Sequence, residues 1–174
     1  MNGFLNPEEI LDQLEIKDSL LACEFGCGAG LFTIALAKRL KMGKVYGLDI
    51  QEEKLSALKS KATLDGFTNV ETILCDLEAP KGSKFQHNFL DIVLIPNVLF
   101  QAEKKDAIIE EAKRILKPGG QLLIIDWAKI APIGPKQGLI NAEEVKKTAE
   151  KLGLKLKKEF PASVYHYGLL FTKE

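Results

Sequence analysis

Residues 20–30 read LLACEFGCGAG, an apolar run that passes through one acid into three alternating glycines. The apolar run predicts a buried strand over residues 19–25, and the stretch that follows predicts a helix over residues 31–40. Glycines between a strand and a helix permit a tight turn, where a ligand can approach the free N–H groups of the helix N-terminus. The alternative is a turn whose glycines serve only to pack the helix closely against the sheet.

The spacing of these glycines argues against two common nucleotide sites. A dinucleotide-binding turn requires G-x-G-x-x-G, but its last position falls here on Leu31 or Thr33. The phosphate-binding pattern G-x-x-x-x-G-K-[ST] is also absent from the sequence. An NAD-dependent oxidoreductase is therefore disfavoured, and the observed G-x-G-x-G preceded by an acid needs another explanation.

Outward from this turn, predicted strands and helices alternate along the chain. Further strands are predicted over 44–49, 70–75, 89–95 and 121–126, and helices from Pro7 and over 51–65, 101–116 and 142–152. Strands that read as continuous apolar runs are typical of a parallel sheet with helices on both faces. Two last strands, 154–160 and 164–172, are joined by so short a turn that they must be antiparallel. We therefore predict an α/β fold with a doubly wound sheet of seven strands, mostly parallel with the last strand antiparallel.

The composition limits the partners and the location of the protein. The 174 residues carry 24 basic and 24 acidic side chains, with arginine only at positions 39 and 114. A protein that grips a phosphate backbone should carry a basic excess, so a nucleic acid partner is not expected. No apolar run reaches the roughly 20 residues of a membrane-spanning helix, and the first residues do not resemble a secretory signal. Because the three cysteines read as reduced thiols, we expect a cytoplasmic protein.

Three carboxylates stand at the ends of successive predicted strands. Glu24, Asp49 and Asp76 lie at the carboxyl edge of the parallel sheet, where open sheets bind ligands. A single acid at a strand end can equally cap a helix. Three acids beside one glycine turn favour a positively charged ligand and would repel a pyrophosphate.

Together these stretches resemble the motifs of class I S-adenosylmethionine-dependent methyltransferases, of the small-molecule type that includes quinone-biosynthesis enzymes. The glycine turn resembles the first motif, residues 45–50 (VYGLDI) the second and residues 74–77 (LCDL) the third. Residues 90–94 (LDIVL) resemble the fourth-strand motif, and residues 114–120 (RILKPGG) resemble the segment before the fifth strand. The resemblance covers nearly the whole chain, from residue 6 to residue 174, and implies a Rossmann-like fold that ends in an antiparallel hairpin.

The resemblance also implies S-adenosylmethionine as the cofactor and assigns its contacts. The backbone of Gly26, Gly28 and Gly30 would cradle the methionine portion, with Glu24 near the ammonium group. Many members have aspartate in place of Glu24, and we expect the longer arm to have little effect. The remaining contacts would be Asp49 with the ribose hydroxyls, Ile50 with one adenine face, Asp76 with the adenine amino group, the Leu77 N–H with a ring nitrogen, and Asn97 close to the sulfonium.

The methyl acceptor is less constrained by the sequence. As one of only two histidines, His166 is the best candidate for a general base, and Asp126 at the end of the fifth strand could contact the substrate. A partly exposed strand histidine is the alternative for His166. The loop 131–138, rich in proline and glycine, follows the fifth strand and is either a substrate lid or a plain connector. No metal site is predicted.

We predict a single domain over residues 1–174, divided into three parts. An N-terminal helix and cap span 1–18, a cofactor-binding core spans 19–126, and a substrate-side loop, helix and terminal hairpin span 127–174. So little of the chain covers the substrate that the pocket should be shallow or completed by a second subunit, in a homodimer. Methyl transfer to a small molecule is expected. RNA or protein methylation, and a non-catalytic cofactor-binding protein of the same fold, stay open as alternatives.

Overall fold

A computed structural model describes residues 4–132 and 134–174 of the chain. Residues 1–3 of the predicted N-terminal part, and Ile133 of the predicted 131–138 loop, lie outside the described residues. Over the described ranges, no helix combines the length and the apolar character needed to cross a membrane.

The described residues form five α-helices and seven strands that alternate through most of the chain. The helices are α1 (Pro7–Leu11), α2 (Leu31–Arg39), α3 (Glu52–Leu64), α4 (Lys105–Ile115) and α5 (Ala142–Lys151). The strands are β1 (Leu21–Phe25), β2 (Lys44–Asp49), β3 (Val70–Leu74), β4 (Leu90–Pro96), β5 (Leu116–Trp127), β6 (Leu154–Pro161) and β7 (His166–Lys173). A short 3-10 turn, Leu99–Gln101, lies between β4 and α4.

The seven strands form a sheet in the order β3-β2-β1-β4-β5-β7-β6. Strands β1 to β5 pair in parallel, and β7 runs antiparallel to both of its neighbours, β5 and β6. The predicted α/β fold with a reversed last strand is therefore confirmed. The winding direction of the chain changes between β1 and β4, and this change opens a crevice at their carboxyl ends.

Both faces of the sheet are buried, which explains why its central strands read as unbroken apolar runs. Ala22 and Ile92 point to one face and pack in a cluster with α1 and α2. Their chain neighbours Cys23 and Val93 point to the other face and pack with α4 and α5. All four side chains are fully buried, as expected for parallel strands covered by helices on both sides.

The predicted helix over residues 101–116 is wrong at its start. Helix α4 begins at Lys105, because Ala102 has an extended backbone that interrupts the helix after the 3-10 turn. The N–H of Phe100 donates to Oδ2 of Asp126 at 3.2 Å, which ties this turn to the end of β5. Strand β5 likewise begins at Leu116 rather than at residue 121, because Leu116 already pairs with Leu90 across an irregular register.

Candidate active site

A cavity of about 390 Å³ opens at the carboxyl edge of the sheet, beside β1 and β2. We call it the acidic cavity, because its three carboxylates outnumber its one lysine. Its lining residues are Gly26, Gly28, Asp49, Ile50, Gln51, Lys54, Cys75, Asp76, Leu77, Glu78, Val98, Gln101, Ala102 and Ile108. Six of the nine predicted cofactor contacts are among them, which leaves Glu24, Gly30 and Asn97 elsewhere.

The glycine turn serves both the cavity and the packing of the fold. Gly28 has a left-handed backbone (φ +51°), and a Cβ placed there would meet no described atom within 4 Å. Gly30 is also left-handed (φ +85°), but a Cβ there would lie 2.3 Å from Cδ1 of Leu58 in α3. Gly30 is therefore required for packing, whereas Gly28 leaves open space at the wall of the acidic cavity.

Asp49 is held in place by the backbone at the end of β2. Its Oδ2 accepts from the N–H of Gly28 at 2.9 Å, and its Oδ1 accepts from the N–H of Gln51 at 2.9 Å. Each carboxylate oxygen can accept more than one hydrogen bond. The carboxylate therefore has a fixed position and retains the capacity to accept from a ligand.

Two more predicted contacts form the outer part of the acidic cavity. Asp76 is exposed, and its Oδ1 accepts from the N–H of Glu78 at 2.9 Å. Ile50 is 65% exposed, so it presents a large apolar side chain to the mouth of the cavity. Leu77 is buried next to Asp76. The mouth therefore combines an apolar surface with a carboxylate that is open to solvent.

Glu24 lies beneath the glycine turn and caps α2 from outside the helix. Its Oε2 accepts from both the backbone N–H and the hydroxyl of Thr33, in the first turn of α2. The side chain is only 2% exposed. The pKa of Glu24 is raised to about 8, mainly by burial and to a smaller extent by the nearby Asp49 carboxylate, against the opposing hydrogen bonds from Thr33. The helix-capping alternative for a strand-end acid therefore describes the contacts of Glu24.

A second cavity, of about 570 Å³, lies at the same edge of the sheet. We call it the apolar cavity. It is lined by Phe4, Leu5, Leu31, Asn97, Trp127, Ala131, Pro132, Gly134, Tyr165 and His166. Three of these residues belong to the 131–138 loop, and a Cβ at Gly134 would lie 2.8 Å from the Trp127 ring. The loop thus packs on Trp127 and forms part of the wall of this cavity, and the lid hypothesis stays a prediction.

His166, the predicted general base, lines the apolar cavity and is 4% exposed. Its Nδ1 lies 2.7 Å from Oγ of Ser163, and its ring lies against Trp127 with 4.0 Å between ring centroids. The Nε2 atom is buried and has no hydrogen-bond partner among the described residues. Burial lowers the pKa of His166 to about 4, so the ring is neutral near pH 7.

Asp126 and His166, the two predicted catalytic residues, point to opposite faces of the sheet. In the β5–β7 pairing, Trp127 is opposite His166, whereas Asp126 is opposite Tyr167. Residues opposite each other share a face, and successive residues alternate. Asp126 is fully buried and accepts from the N–H groups of Phe100 and Trp127. Burial raises its pKa to about 6, and these hydrogen bonds oppose the rise.

Asn97 and Val98 form the wall between the two cavities. Asn97 lines the apolar cavity and the next residue, Val98, lines the acidic cavity. Asn97 has a left-handed backbone (φ +56°), and its N–H donates to the carbonyl of Ile125 at 2.8 Å. Its Oδ1 is buried, and no described group donates a hydrogen bond to it. Such strain and an unsatisfied acceptor are typical of positions that serve a ligand.

Several residues at the apolar cavity are not predicted from the sequence. Leu5, Leu31 and Tyr165 come from three distant parts of the chain, and Ser163 contacts the cavity only through His166. No motif links these positions. The one available signal in the sequence was the position of Leu31, a large apolar residue directly after the glycines.

The comparisons with known proteins agree with this geometry. Residues 16–166 match a family model described as a methyltransferase domain. The chain is 31% identical to a demethylmenaquinone methyltransferase of Bacillus cereus, over 76% of this chain and 55% of that protein. It is 30% identical to the ubiquinone/menaquinone biosynthesis C-methyltransferase UbiE of Paraburkholderia phymatum, over 68% of this chain and 47% of that protein. The chain thus spans about half the length of the curated relatives it matches.

A solved structure matches nearly the whole chain. The crystal structure of a SAM-dependent methyltransferase from Aquifex aeolicus superposes with a TM-score of 0.88 and 25% sequence identity. The match covers 98% of this chain and 90% of the Aquifex chain. The reversed last strand and the glycine turn therefore belong to a fold that is already known in an S-adenosylmethionine-dependent protein.

Proposed function

Because the chain belongs to the methyltransferase-domain family, we propose that it is an enzyme that transfers a methyl group from S-adenosylmethionine to a small, largely apolar molecule. The class of protein and its cofactor, both predicted from the motifs, are confirmed at the level of the family and its structural relative. The observation that carries the proposal is the shared wall at Asn97 and Val98. An acidic cavity and an apolar cavity meet there, as a cationic donor and an uncharged acceptor require.

The acidic cavity fits S-adenosylmethionine in size and in charge. Its volume of about 390 Å³ lies within the range of about 300–1,000 Å³ that is typical of small-molecule sites. Its charged lining residues are one lysine, Lys54, and three carboxylates, Asp49, Asp76 and Glu78. A cation is therefore favoured there. The open space at Gly28 would admit a ligand against the backbone.

Each part of the cavity has a proposed contact with the cofactor. The backbone at Gly26 and Gly28 holds the methionine portion, and the fixed carboxylate of Asp49 accepts from the ribose hydroxyls. The remaining proposed contacts are Ile50 with an adenine face, Asp76 with the adenine amino group and the Leu77 N–H with a ring nitrogen. Gly30 contributes by allowing the tight turn, and Glu24 lies as a buried carboxyl group close to the ammonium group.

The cofactor, when bound, supplies a methyl group on a positively charged sulfur, which needs no further activation. The chain must hold the acceptor atom in line with that methyl group and keep water away. An apolar surface excludes water from the acceptor side, and it is formed by Trp127, Leu31 and the 131–138 loop. Asn97 stands at the boundary between the cavities, close to the proposed position of the sulfonium.

The acceptor is proposed to be small because the apolar cavity is bounded and the chain is not basic. A neutral chain with two arginines lacks the basic excess of a nucleic acid partner. One relative is named a demethylmenaquinone methyltransferase and another a ubiquinone/menaquinone biosynthesis C-methyltransferase. A compound of similar apolar character suits this cavity. His166 is proposed to contact the acceptor, and Asp126, on the other face, is proposed to support catalysis by holding the 3-10 turn.

We further propose a single domain over residues 1–174, located in the cytoplasm. The three cysteines are buried and unpaired within the described ranges, which suits a reducing compartment. A homodimer is proposed because two lining residues of the apolar cavity, Phe4 and Leu31, are exposed large apolar side chains, which a second subunit would cover.

Calorimetry and labelling test the proposed function. The protein should bind S-adenosylmethionine and not NAD, and methyl-labelled cofactor incubated with a cell extract should label the low-mass fraction. Label in RNA or protein would support the macromolecular alternative. Binding without any label transfer would identify a non-catalytic cofactor-binding protein, and no binding would overturn the proposal.

A further inference from the structure

The hydrogen bonds of Ser163 bear on which ring nitrogen of His166 carries the hydrogen. Ser163 is 4% exposed, and its Oγ accepts from the N–H of Tyr165 at 3.1 Å. The hydroxyl hydrogen therefore needs an acceptor, because a buried donor without a partner is costly. Within the described parts of the chain, Nδ1 of His166 at 2.7 Å is the acceptor in reach. If the hydroxyl donates to Nδ1, that nitrogen carries no hydrogen.

A neutral imidazole that accepts at Nδ1 carries its hydrogen on Nε2. Burial keeps the His166 ring neutral near pH 7, since its pKa is lowered to about 4. The Nε2–H group is itself buried and lacks a partner in the described residues. His166 also lines the apolar cavity and is packed against Trp127, so its ring has a fixed place at the acceptor side.

We infer that His166 is a fixed hydrogen-bond donor and that Ser163 sets its tautomer. Through this donor, His166 selects methyl acceptors that present an oxygen lone pair to the apolar cavity. A carbonyl or phenol oxygen would satisfy the unpaired Nε2–H group, whereas a hydrocarbon of the same shape would leave it unsatisfied. Ser163 is then a positioning residue. The inference rests on the proposed function for the identity of the cavity's ligand, and it offers an alternative to His166 as a proton acceptor.

The tautomer is measurable without cofactor or turnover. Two-bond ¹H–¹⁵N NMR distinguishes Nδ1 from Nε2 protonation, and the chain has only two histidines, so a His87→Gln variant assigns the signals. At pH 7, His166 should be neutral with the hydrogen on Nε2. In Ser163→Ala this tautomer should lose its dominance, and in Ser163→Thr, which keeps the hydroxyl, it should return. A charged ring, or a hydrogen on Nδ1 in the unaltered protein, overturns the inference whatever the variants do.

Binding of matched probes tests the selection. Acetophenone carries a carbonyl oxygen and ethylbenzene does not, although the two have similar size and shape. We expect acetophenone to bind about tenfold more tightly, with loss of this preference in His166→Phe and its retention in His166→Gln, which keeps an N–H donor. Equal binding of the two probes by the unaltered protein overturns the inference. Failure to bind S-adenosylmethionine would overturn only the proposed function, because neither measurement requires the cofactor.

Discussion

The acidic and apolar cavities differ in how the chain builds them. The acidic cavity is formed mostly by residues that directly follow β1, β2 and β3, and backbone N–H groups fix its central carboxylate, Asp49. The apolar cavity is assembled from the N-terminal segment, the start of α2, the end of β5 and the terminal hairpin. The first is thus a local product of strand ends, and the second depends on tertiary packing. Donor binding and acceptor choice should therefore be separable by mutation.

The largest effect is expected at Gly28. In Gly28→Ala, a left-handed backbone is strained and a methyl group enters the acidic cavity, so S-adenosylmethionine should bind about 100-fold more weakly. Gly66→Ala is the matched control, because Gly66 is equally left-handed (φ +77°) with open space around it, but it is not a lining residue of the acidic cavity. Both variants should lose about 1–2 kcal/mol of stability. Unchanged calorimetric affinity in Gly28→Ala would contradict the position given to the cofactor.

Glu24, which lies beneath the acidic cavity, should make the stability of the protein depend on pH. Its folded pKa of about 8 lies above its ordinary value of 4.5, so the folded state binds more protons between these pH values. Stability should be highest below pH 4.5 for this group and fall as pH rises through 8. In urea unfolding, the free energy of unfolding should fall less between pH 5 and pH 8 in Glu24→Gln than in the unaltered protein. Bound S-adenosylmethionine should flatten the dependence in the unaltered protein, because a cation lowers the pKa of a nearby carboxyl.

Substitution of Trp127 should weaken use of the acceptor and leave cofactor binding unchanged. Trp127→Ala removes a wall of that cavity and the ring that packs on His166, so kcat/KM for the acceptor should fall about tenfold. The affinity for S-adenosylmethionine should stay within twofold of the original. Ile50→Ala, at the mouth of the acidic cavity, is the converse control and should weaken only cofactor binding. Equal effects of either variant on both ligands would show that the cavities are not separable.

The smallest stability effect is expected at Asn97, in the shared wall. Asn97→Gly relieves a left-handed backbone and removes an unpaired buried Oδ1, so the free energy of unfolding should rise by up to about 1 kcal/mol. Methyl transfer should fall in the same variant, because the boundary group between donor and acceptor is lost. Thermal unfolding and turnover measured together check the trade-off, and a variant that loses stability would refute it.

The sequence predicts the acidic cavity well because strand ends in a parallel sheet share one edge. Asp49 and Asp76 are therefore predicted to lie close together once the strands are assigned. The place of Gly28 beside them follows from the turn that contains it. Asp126 and His166 are also at this edge, but their faces depend on the register of β7 against β5. No local pattern carries that register. The start of α4 was missed for a similar reason, because Asp126 holds the 3-10 turn from 26 residues away in the chain.

The register of β7 against β5 determines which side chain of the terminal hairpin lies on the acceptor side. In this register, Trp127 pairs with His166 and Asp126 pairs with Tyr167. A slip of β7 by a single residue would turn every one of its side chains to the opposite face. The imidazole would leave the acceptor side and a phenol would enter, with β1, β2 and the cofactor cradle unchanged. Changes in the length of the 162–165 turn are thus a short evolutionary route to new acceptors on an unaltered donor site.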